Sequence, residues 1–336
     1  MINEHYLEML GHKSVIRELA EYAAVRGKEI GGENVFDFSL GNPSVPAPES
    51  FTDAAIRLLQ TEEPVRLHGY SPTLGIPSVK EKIAASLNRR FGMNYTAGHI
   101  FPASGCAGAV AHALRVVTKP GDKVLVQAPF FPEYIPYIND TGAQIEIIPA
   151  RFEDFQINFE ALEQMLQPGV AAILINSPNN PSGVAYTGET LEKLSSLLAA
   201  KSKELGYNLF LISDEPYREI AFGGREIPYP ARFYPHTLTC YSFSKSLSVP
   251  GERIGYVAVC PECEHAEDIV PMCGQISRGI GHNCPSSLIQ LAAAEAVDDT
   301  ADLSVYETNM ELLYETFREL GFEVKEPDGT FYIMPK

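Results

Sequence analysis

A short apolar run that leads into serine hydroxyls and two cations is the most informative part of this chain: Leu238-Thr239-Cys240-Tyr241-Ser242-Phe243-Ser244-Lys245-Ser246-Leu247-Ser248-Val249-Pro250-Gly251-Glu252-Arg253-Ile254-Gly255-Tyr256. The apolar run 238–241 has the composition of a buried strand. Two serines flank Lys245 at close range, and Arg253 follows eight positions later. An arginine with hydroxyls nearby is typical of a phosphate site. A lysine whose charge is suppressed by burial or by another cation attacks carbonyl groups and forms Schiff bases.

These two chemistries together predict a ligand that carries both a carbonyl group and a phosphate. Pyridoxal phosphate, held covalently by Lys245, fits that description. The alternative is a solvated loop, because turns rich in serine and lysine are common.

The middle of the chain alternates apolar, strand-like runs with helical patterns. This alternation predicts an α/β fold with a three-layer large domain built on a mainly parallel sheet. The predicted strands are 99–103, 123–127, 145–148, 171–175, 209–213, 238–241 and 254–259. The predicted helices include 107–117, 159–166 and 190–205, and Glu189 and Thr190 suit the start of the last one.

A chain of 336 residues is long enough for a large domain and a smaller α+β lobe. We expect residues 1–45 to form an amino-terminal segment of the lobe, 46–285 the cofactor-binding large domain, and 286–336 a linking helix and part of the lobe. Helical patterns over 289–320 break near Asp298, and 322–324 and 330–334 have the composition of strands. The chain stops directly after the last of these, so we expect the lobe to be truncated at its carboxyl terminus.

Composition excludes some classes of partner. The chain carries 26 Lys and Arg against 43 Asp and Glu, a formal net charge of −17. This charge argues against nucleic acid or an anionic membrane as a partner. The first residues lack the pattern of a signal peptide, and no apolar run approaches membrane-spanning length. We therefore expect a cytoplasmic protein.

The six cysteines are scattered along the chain. Cys260 and Cys263, with His265 and Cys273 close behind, have a spacing that zinc ligands also show. No second closely spaced cysteine pair follows, so the sequence favours reduced thiols and no metal site.

Polar residues follow several predicted strands at the point where each ends. Open α/β sheets bind ligands beyond the carboxyl ends of their strands. The small residues 104–108 precede a helix and would let backbone amides approach an anion. The aromatic segment 129–134 and the loop 176–183, which is rich in Asn and Pro, follow two further strands. Asp214 ends another strand, where a buried carboxylate is costly unless it meets a cation.

Taken together, these segments resemble the fold-type-I pyridoxal phosphate enzymes, in particular the class I and II aminotransferases. The motifs that carry the resemblance are Asn180-Pro181-Ser182-Gly183, Asp214-Glu215-Pro216-Tyr217, and Ser242-x-x-Lys245 with Arg253. The match extends from Gly41-Asn42-Pro43 to Gly329-Thr330-Phe331-Tyr332.

The resemblance implies a role for each matched residue. Lys245 would form the Schiff base and then carry the proton, Asp214 would pair with the pyridine nitrogen, and Tyr217 would donate to the ring oxygen. Asn180 would also donate there and would help to bind the substrate. Phe131 would stack on the ring. The phosphate would meet these remaining groups: Ser242, Arg253, the amides of Gly105, Cys106 and Ala107, and Tyr70 from a second subunit.

The resemblance also implies a homodimer with shared sites, and it places Gly41 and Asn42 where the family closes over the substrate. The reaction would be the transfer of an amino group between an L-amino acid and a 2-oxo acid. A C–S β-lyase or an amino acid decarboxylase on the same scaffold, and more remotely a cofactor-sensing regulator, are the alternatives. The arginine that usually binds the substrate carboxylate has no counterpart before Lys336, so that residue is unassigned.

Overall fold

The computed structural model describes residue 2 and residues 4–9 and 15–336, so the predicted segment 1–45 lies partly outside the described residues. The chain divides into two compact units, one up to Asn42 and one from Pro43 onward. The first unit contains the helices Glu4–Met9 (α1) and Val15–Ile30 (α2) and the 3-10 turn Gly32–Asn34. The predicted boundaries at 45/46 and 285/286 stay a prediction.

The second unit contains the sheet and the remaining helices of the described chain. Its strands are β1 (Ile100–Ala103), β2 (Lys123–Gln127), β3 (Gln144–Ile148), β4 (Val170–Asn176), β5 (Phe210–Asp214), β6 (Thr237–Ser242) and β7 (Gly255–Val259). Its helices are α3 (Glu49–Thr61), α4 (Pro64–His68), α5 (Pro77–Phe91), α6 (Gly105–Val117), α7 (Tyr134–Asn139), α8 (Phe159–Met165), α9 (Gly188–Leu205), α10 (Phe243–Ser246), α11 (Ala266–Ile280), α12 (Ser287–Glu295) and α13 (Ser304–Glu319). None of the described helices is long and apolar enough to cross a bilayer.

The strands form one mixed sheet in the order β1-β7-β6-β5-β4-β2-β3. Strand β7 runs antiparallel to both of its neighbours, and the other pairs are parallel. Each predicted strand of the sheet is present, with ends displaced by one residue at most. The mainly parallel sheet predicted from the apolar runs is confirmed.

Two apolar layers cover the two faces of the sheet. Along β4, Ala172 and Leu174 pack into one buried cluster. Ile173 and Ile175 point to the opposite face and pack into the other, because successive strand residues alternate. Helix α6 contributes Leu114 to the first cluster, whereas α8 and α9 contribute to the second. The sheet therefore lies between two helical layers, which is the predicted three-layer architecture.

Helix α9 begins two residues earlier than predicted. The Thr187 hydroxyl accepts a hydrogen bond from the Thr190 amide at 3.1 Å, so Thr187 is the amino-terminal cap. The helix ends at Gly206, which has a φ of 79° and donates its amide to Ser202.

The two strands predicted at 322–324 and 330–334 are wrong, because these segments form no regular strand. Glu323 and Lys336 exchange two backbone hydrogen bonds of 3.2 and 2.8 Å, and Gly329 makes one isolated bridge to Ala221. Apolar composition predicted strands here, but a strand also needs a continuous partner. The helical prediction for 289–320 is confirmed as α12 and α13, with the break between Glu295 and Ser304.

Candidate active site

Three neighbouring parallel strands end side by side. Strand β4 ends at Asn176, β5 at Asp214 and β6 at Ser242. Asn176 pairs with Asp214, and Asp214 pairs with Cys240, so the three carboxyl ends lie at one edge. Ligands of open α/β sheets bind at this kind of edge.

Asp214 is buried at this edge, with 6% of its surface exposed. One carboxyl oxygen accepts a hydrogen bond of 2.6 Å from Cys106 Sγ, and the other accepts one from the Tyr134 hydroxyl. Burial raises the pKa of Asp214 to about 6, and the two hydrogen bonds act in the opposite direction. Such a carboxyl gains from a cationic partner, which would restore its charge.

The loop after β4 is tied to the same strand end. Asn176 Nδ2 donates to the Asp214 carbonyl at 2.9 Å, and Asn176 Oδ1 accepts from the Asn180 amide at 2.6 Å. The Asn180 side chain lies near the Tyr217 hydroxyl and acts to lower its pKa. That hydroxyl also lies 3.1 Å from the Tyr332 hydroxyl. Burial raises the pKa of Tyr217, so it stays a neutral phenol that can donate a hydrogen bond.

Lys245 lies on α10, the single helical turn that follows β6. Its Nζ is 5.8 Å from the centre of the Tyr217 ring and 5.4 Å from that of Phe331. Burial, helped by the charge of Arg253, lowers the pKa of Lys245 to about 8. A lysine with such a pKa has a substantial neutral fraction at pH 7 to 8, which makes it nucleophilic.

The amino terminus of α6 and Arg253 form a cradle for an anion. Gly105 has a φ of 72°, and a Cβ at this position would lie 2.8 Å from Arg253 Nη2. Arg253 donates to the Ser104 carbonyl at 3.3 Å, and the Ser104 side chain does not cap the helix. The first amides of α6, from Gly105, Cys106 and Ala107, therefore lie beside a guanidinium at the positive end of the helix.

Ser242 lies beside this cradle. It pairs with Gly255 of β7, and Gly255 pairs on its other side with Ala103, the last residue before the cradle. Phe131 is partly buried in the loop after β2, with its ring centre 5.8 Å from that of Tyr134. The structure thus brings together the predicted residues of the second unit, apart from Tyr70.

Tyr70 is fully exposed on the surface. It lines a cleft of about 480 Å³ between α4 and the start of α12, which none of the other predicted site residues lines. Gly41 and Asn42 belong to the first unit, so their predicted contact with substrate stays a prediction.

Three residues of the site were missed by sequence reasoning. The sequence places Tyr134 only in an aromatic segment, Asn176 only in a loop, and Tyr332 only at the end of a motif. Their hydrogen bonds to Asp214, Asn180 and Tyr217 depend on tertiary packing. The sequence signal that could have found them is their position at strand ends or in the matched motifs.

Comparison with known proteins decides the family. Residues 33–336 match the family model described as aminotransferase class I and II. The chain belongs to this family. This aminotransferase is 30% identical to a probable aspartate/prephenate aminotransferase of Aquifex aeolicus, over 90% of this chain and 76% of that protein. It is also 30% identical to an aspartate aminotransferase of Thermotoga maritima, over 91% and 78% of the two chains.

Solved structures agree with this assignment. An aminotransferase from Eubacterium rectale superposes with a TM-score of 0.97 and 41% identity, covering 100% of this chain and 85% of that one. The aspartate aminotransferase of Thermus thermophilus with maleate gives a TM-score of 0.83 at 25% identity, covering 96% and 81%. The predicted fold, family and reaction class are therefore confirmed: the chain is an aminotransferase of a family that depends on pyridoxal phosphate.

Proposed function

We propose that this aminotransferase binds pyridoxal phosphate between Lys245, Asp214 and the amino terminus of α6. It would use the cofactor to transfer an amino group between an L-amino acid and a 2-oxo acid. The residues present fit this group in three respects. The buried Asp214 suits a protonated pyridine nitrogen, the neutral fraction of Lys245 suits an aldehyde, and the cradle of Gly105 and Arg253 suits a phosphate.

The bound cofactor supplies an aldehyde that condenses with amines and a ring that accepts electrons when the α-proton of the amino acid leaves. The chain's own residues place and tune these functions. Asp214 holds a proton at the ring nitrogen, and Cys106 and Tyr134 fix both of its oxygens. Lys245 Nζ would hold the cofactor through its aldehyde and, as a free amine, would take and return the α-proton of the substrate.

The remaining residues orient the ring. Asn180 and Tyr217 would donate to the ring oxygen, since their side chains lie close together. Phe131 would lie against the ring face, and Ser242, Arg253 and the first amides of α6 would hold the phosphate.

The observation that carries this proposal is the pair of opposite pKa shifts at adjacent strand ends. The pKa of the acid Asp214 rises to about 6, whereas the pKa of the base Lys245 falls to about 8. Both shifts disfavour the charged forms of these two side chains, and a cationic ring nitrogen with an aldehyde would relieve both. Perturbed pairs of this kind are typical of catalytic sites.

The substrate class is tested by a panel of amino acids. Similar proteins named for aspartate make L-aspartate with a 2-oxo acid acceptor the first pair to assay. Purified enzyme with added cofactor should convert the acceptor into an amino acid and release a second 2-oxo acid. Release of pyruvate with a thiol, or of carbon dioxide, without amino transfer would instead indicate a β-lyase or a decarboxylase.

We further propose a homodimer in which the Tyr70 of each subunit reaches the phosphate of the other site. Complete exposure of an aromatic ring beside a large cleft supports this role.

A cytoplasmic location stays part of the proposal. It is supported by the six cysteines, which are free thiols in the structure.

A further inference from the structure

A polar network, buried except for Arg90 at its edge, connects the segment after Asp214 to the turn that carries Lys245. Its members are Arg90, Glu215, Arg218, Glu219, Tyr241 and Ser246. Arg218 is 4% exposed and donates to Glu215 at 3.1 Å, and its Nε lies 3.4 Å from Glu219. Its guanidinium also stacks over the Tyr241 ring, at 4.4 Å from the ring centre. The proposed reaction uses none of these side chains directly.

Tyr241 is the link between the two halves of the network. Its hydroxyl lies 2.9 Å from Glu219 Oε2 and 2.8 Å from Ser246 Oγ. Both partners are nearly inaccessible to water, with 8% of the Glu219 side chain and 2% of Ser246 exposed. Hydrogen bonds in such an environment are stronger and more directional than at a surface.

The charge on Glu219 makes this residue the stronger of the two hydrogen-bond acceptors beside the Tyr241 hydroxyl. Although burial acts in the other direction, the charges of Arg218 and Arg90 lower the pKa of Glu219, so it is a carboxylate. A phenol has one proton, and the carboxylate is the stronger acceptor, so Tyr241 donates to Glu219. The Tyr241 hydroxyl also lies in donor geometry to Ser246 Oγ, at 2.8 Å. These contacts form a hydrogen-bonded link that runs from Ser246 through Tyr241 to Glu219.

We propose that Tyr241 is a positioning residue that holds the Lys245 turn against the segment carrying Asp214 and Tyr217. Ser246 directly follows Lys245, and Glu219 follows Tyr217 by two residues. The hydrogen bonds through Tyr241 therefore connect the turn that carries Lys245 to the segment that carries Asp214 and Tyr217. The inference rests on the proposed cofactor site, because it concerns where Lys245 Nζ lies relative to the bound cofactor.

A purely stabilising role explains the network less well. Apolar side chains of similar volume often stabilise a core as much as buried ion pairs do. Hydrogen bonds to a carboxylate have defined lengths and directions, so they hold a segment in one position. A lysine that must reach one particular atom of a ligand needs a segment held in this way.

The test measures how fast the cofactor leaves. The wild type, Tyr241→Phe, Ser246→Ala and the double variant are loaded with pyridoxal 5'-phosphate and diluted, and the cofactor's visible absorbance is followed. Tyr95→Phe is the matched control, because it removes a buried tyrosine hydroxyl that is hydrogen-bonded at 2.8 Å to Tyr229 instead of to the Lys245 turn. Thermal unfolding of each cofactor-free protein separates loss of position from loss of folding.

Each single variant should release the cofactor about tenfold faster, which corresponds to one hydrogen bond to a charged network. The double variant should be no faster than the worse single variant, because both break the same link. Tyr95→Phe should match the wild type. Wild-type release rates in both single variants, or effects that multiply in the double variant, would overturn the role.

If Tyr241→Phe does not fold, Ser246→Ala decides alone, and an unchanged release rate there refutes the role. Failure of the proposed function is a separate result: borohydride would fix no adduct at Lys245 in the wild type, and the positioning role would fall with it. If the wild type forms the adduct at Lys245 and the variants release the cofactor at the wild-type rate, only the positioning role is refuted.

Discussion

At Asp214, burial and hydrogen bonding act on one carboxyl in opposite directions, and burial dominates. The folded protein without cofactor therefore binds this proton more tightly than the unfolded chain, whose carboxyl has a pKa near 3.8. Between these pKa values the folded state carries more protons, so its free energy of unfolding falls as the pH rises from about 4 to about 6. A cationic ring nitrogen in the bound cofactor would stabilise the Asp214 carboxylate and so oppose the rise in its pKa.

Replacing Asp214 with asparagine tests that effect. Asp214→Asn keeps the shape of the side chain and removes the titration, so the cofactor-free variant should gain about 3 kcal/mol relative to the wild type between pH 3 and pH 7. Urea unfolding at a series of pH values measures the difference. Asp299→Asn, at an exposed site, should follow the wild type. A pH-independent difference between Asp214→Asn and the wild type would contradict the raised pKa.

The residues of the site could be predicted from the sequence to different degrees. Three ionisable residues could be identified from the sequence, because each follows a run that is recognisable as a strand: Lys245, Asp214 and Arg253. Tyr134 could not, because an aromatic residue in an apolar segment is usually core, and only packing brings its hydroxyl to Asp214. The network around Arg218 is not predictable for the same reason, since packing alone brings Arg90 and Tyr241 to the segment of Glu215, Arg218 and Glu219.

At the scale of elements, the entry into α6 is the part on which phosphate binding depends most. Gly105 has a left-handed backbone, and a side chain there would meet Arg253. Gly108, three residues further along the same helix, has no positive φ, and a Cβ there would make only ordinary contacts of 3.6 to 3.9 Å. The two glycines therefore form a matched pair for substitution.

Gly105→Ala should destabilise the protein by about 1–2 kcal/mol, because it forces a Cβ into the left-handed region. It should also weaken pyridoxal phosphate binding about tenfold, since displacing Arg253 costs one charged hydrogen bond. Gly108→Ala should leave cofactor affinity unchanged and stabilise the helix by up to about 1 kcal/mol. Thermal unfolding and cofactor titration measure both effects. Equal cofactor affinity in the two variants would show that the cradle does not hold the phosphate.

Strands of the sheet were predictable because each is a buried apolar run bounded by polar turns. The two carboxyl-terminal segments, 322–324 and 330–334, have similar composition but no continuous strand beside them in the described chain. An apolar composition indicates that a segment is buried, whereas a strand also needs hydrogen-bonding partners for its backbone. The helix α9 illustrates the same limit on a smaller scale, because its cap Thr187 became evident only from its hydrogen bond.

At the scale of the whole molecule, the proposed dimer predicts complementation between two inactive variants. Lys245→Ala lacks the attachment point, and Tyr70→Ala lacks the contribution to the neighbouring site. A mixed dimer would have one site that combines an intact Lys245 with an intact Tyr70. Unfolding and refolding the two variants together at equal concentrations should therefore restore about a quarter of the wild-type activity, because half of the dimers are mixed and half of their sites are intact.

Each variant refolded alone is the control for that mixture. Activity in the mixture no greater than the mean of the two controls would contradict shared sites. Sedimentation at the assay concentration establishes that the variants still form dimers, so that a negative result bears on Tyr70 itself.

The central claim is that one amine, that of Lys245, attaches the cofactor. The most direct measurement is borohydride reduction of the cofactor-loaded protein, followed by digestion and peptide mass mapping. The account predicts a single phosphopyridoxyl adduct, located on the peptide that contains Lys245. An adduct on a different lysine, or protein that takes up no cofactor and stays unmodified at Lys245, would contradict it.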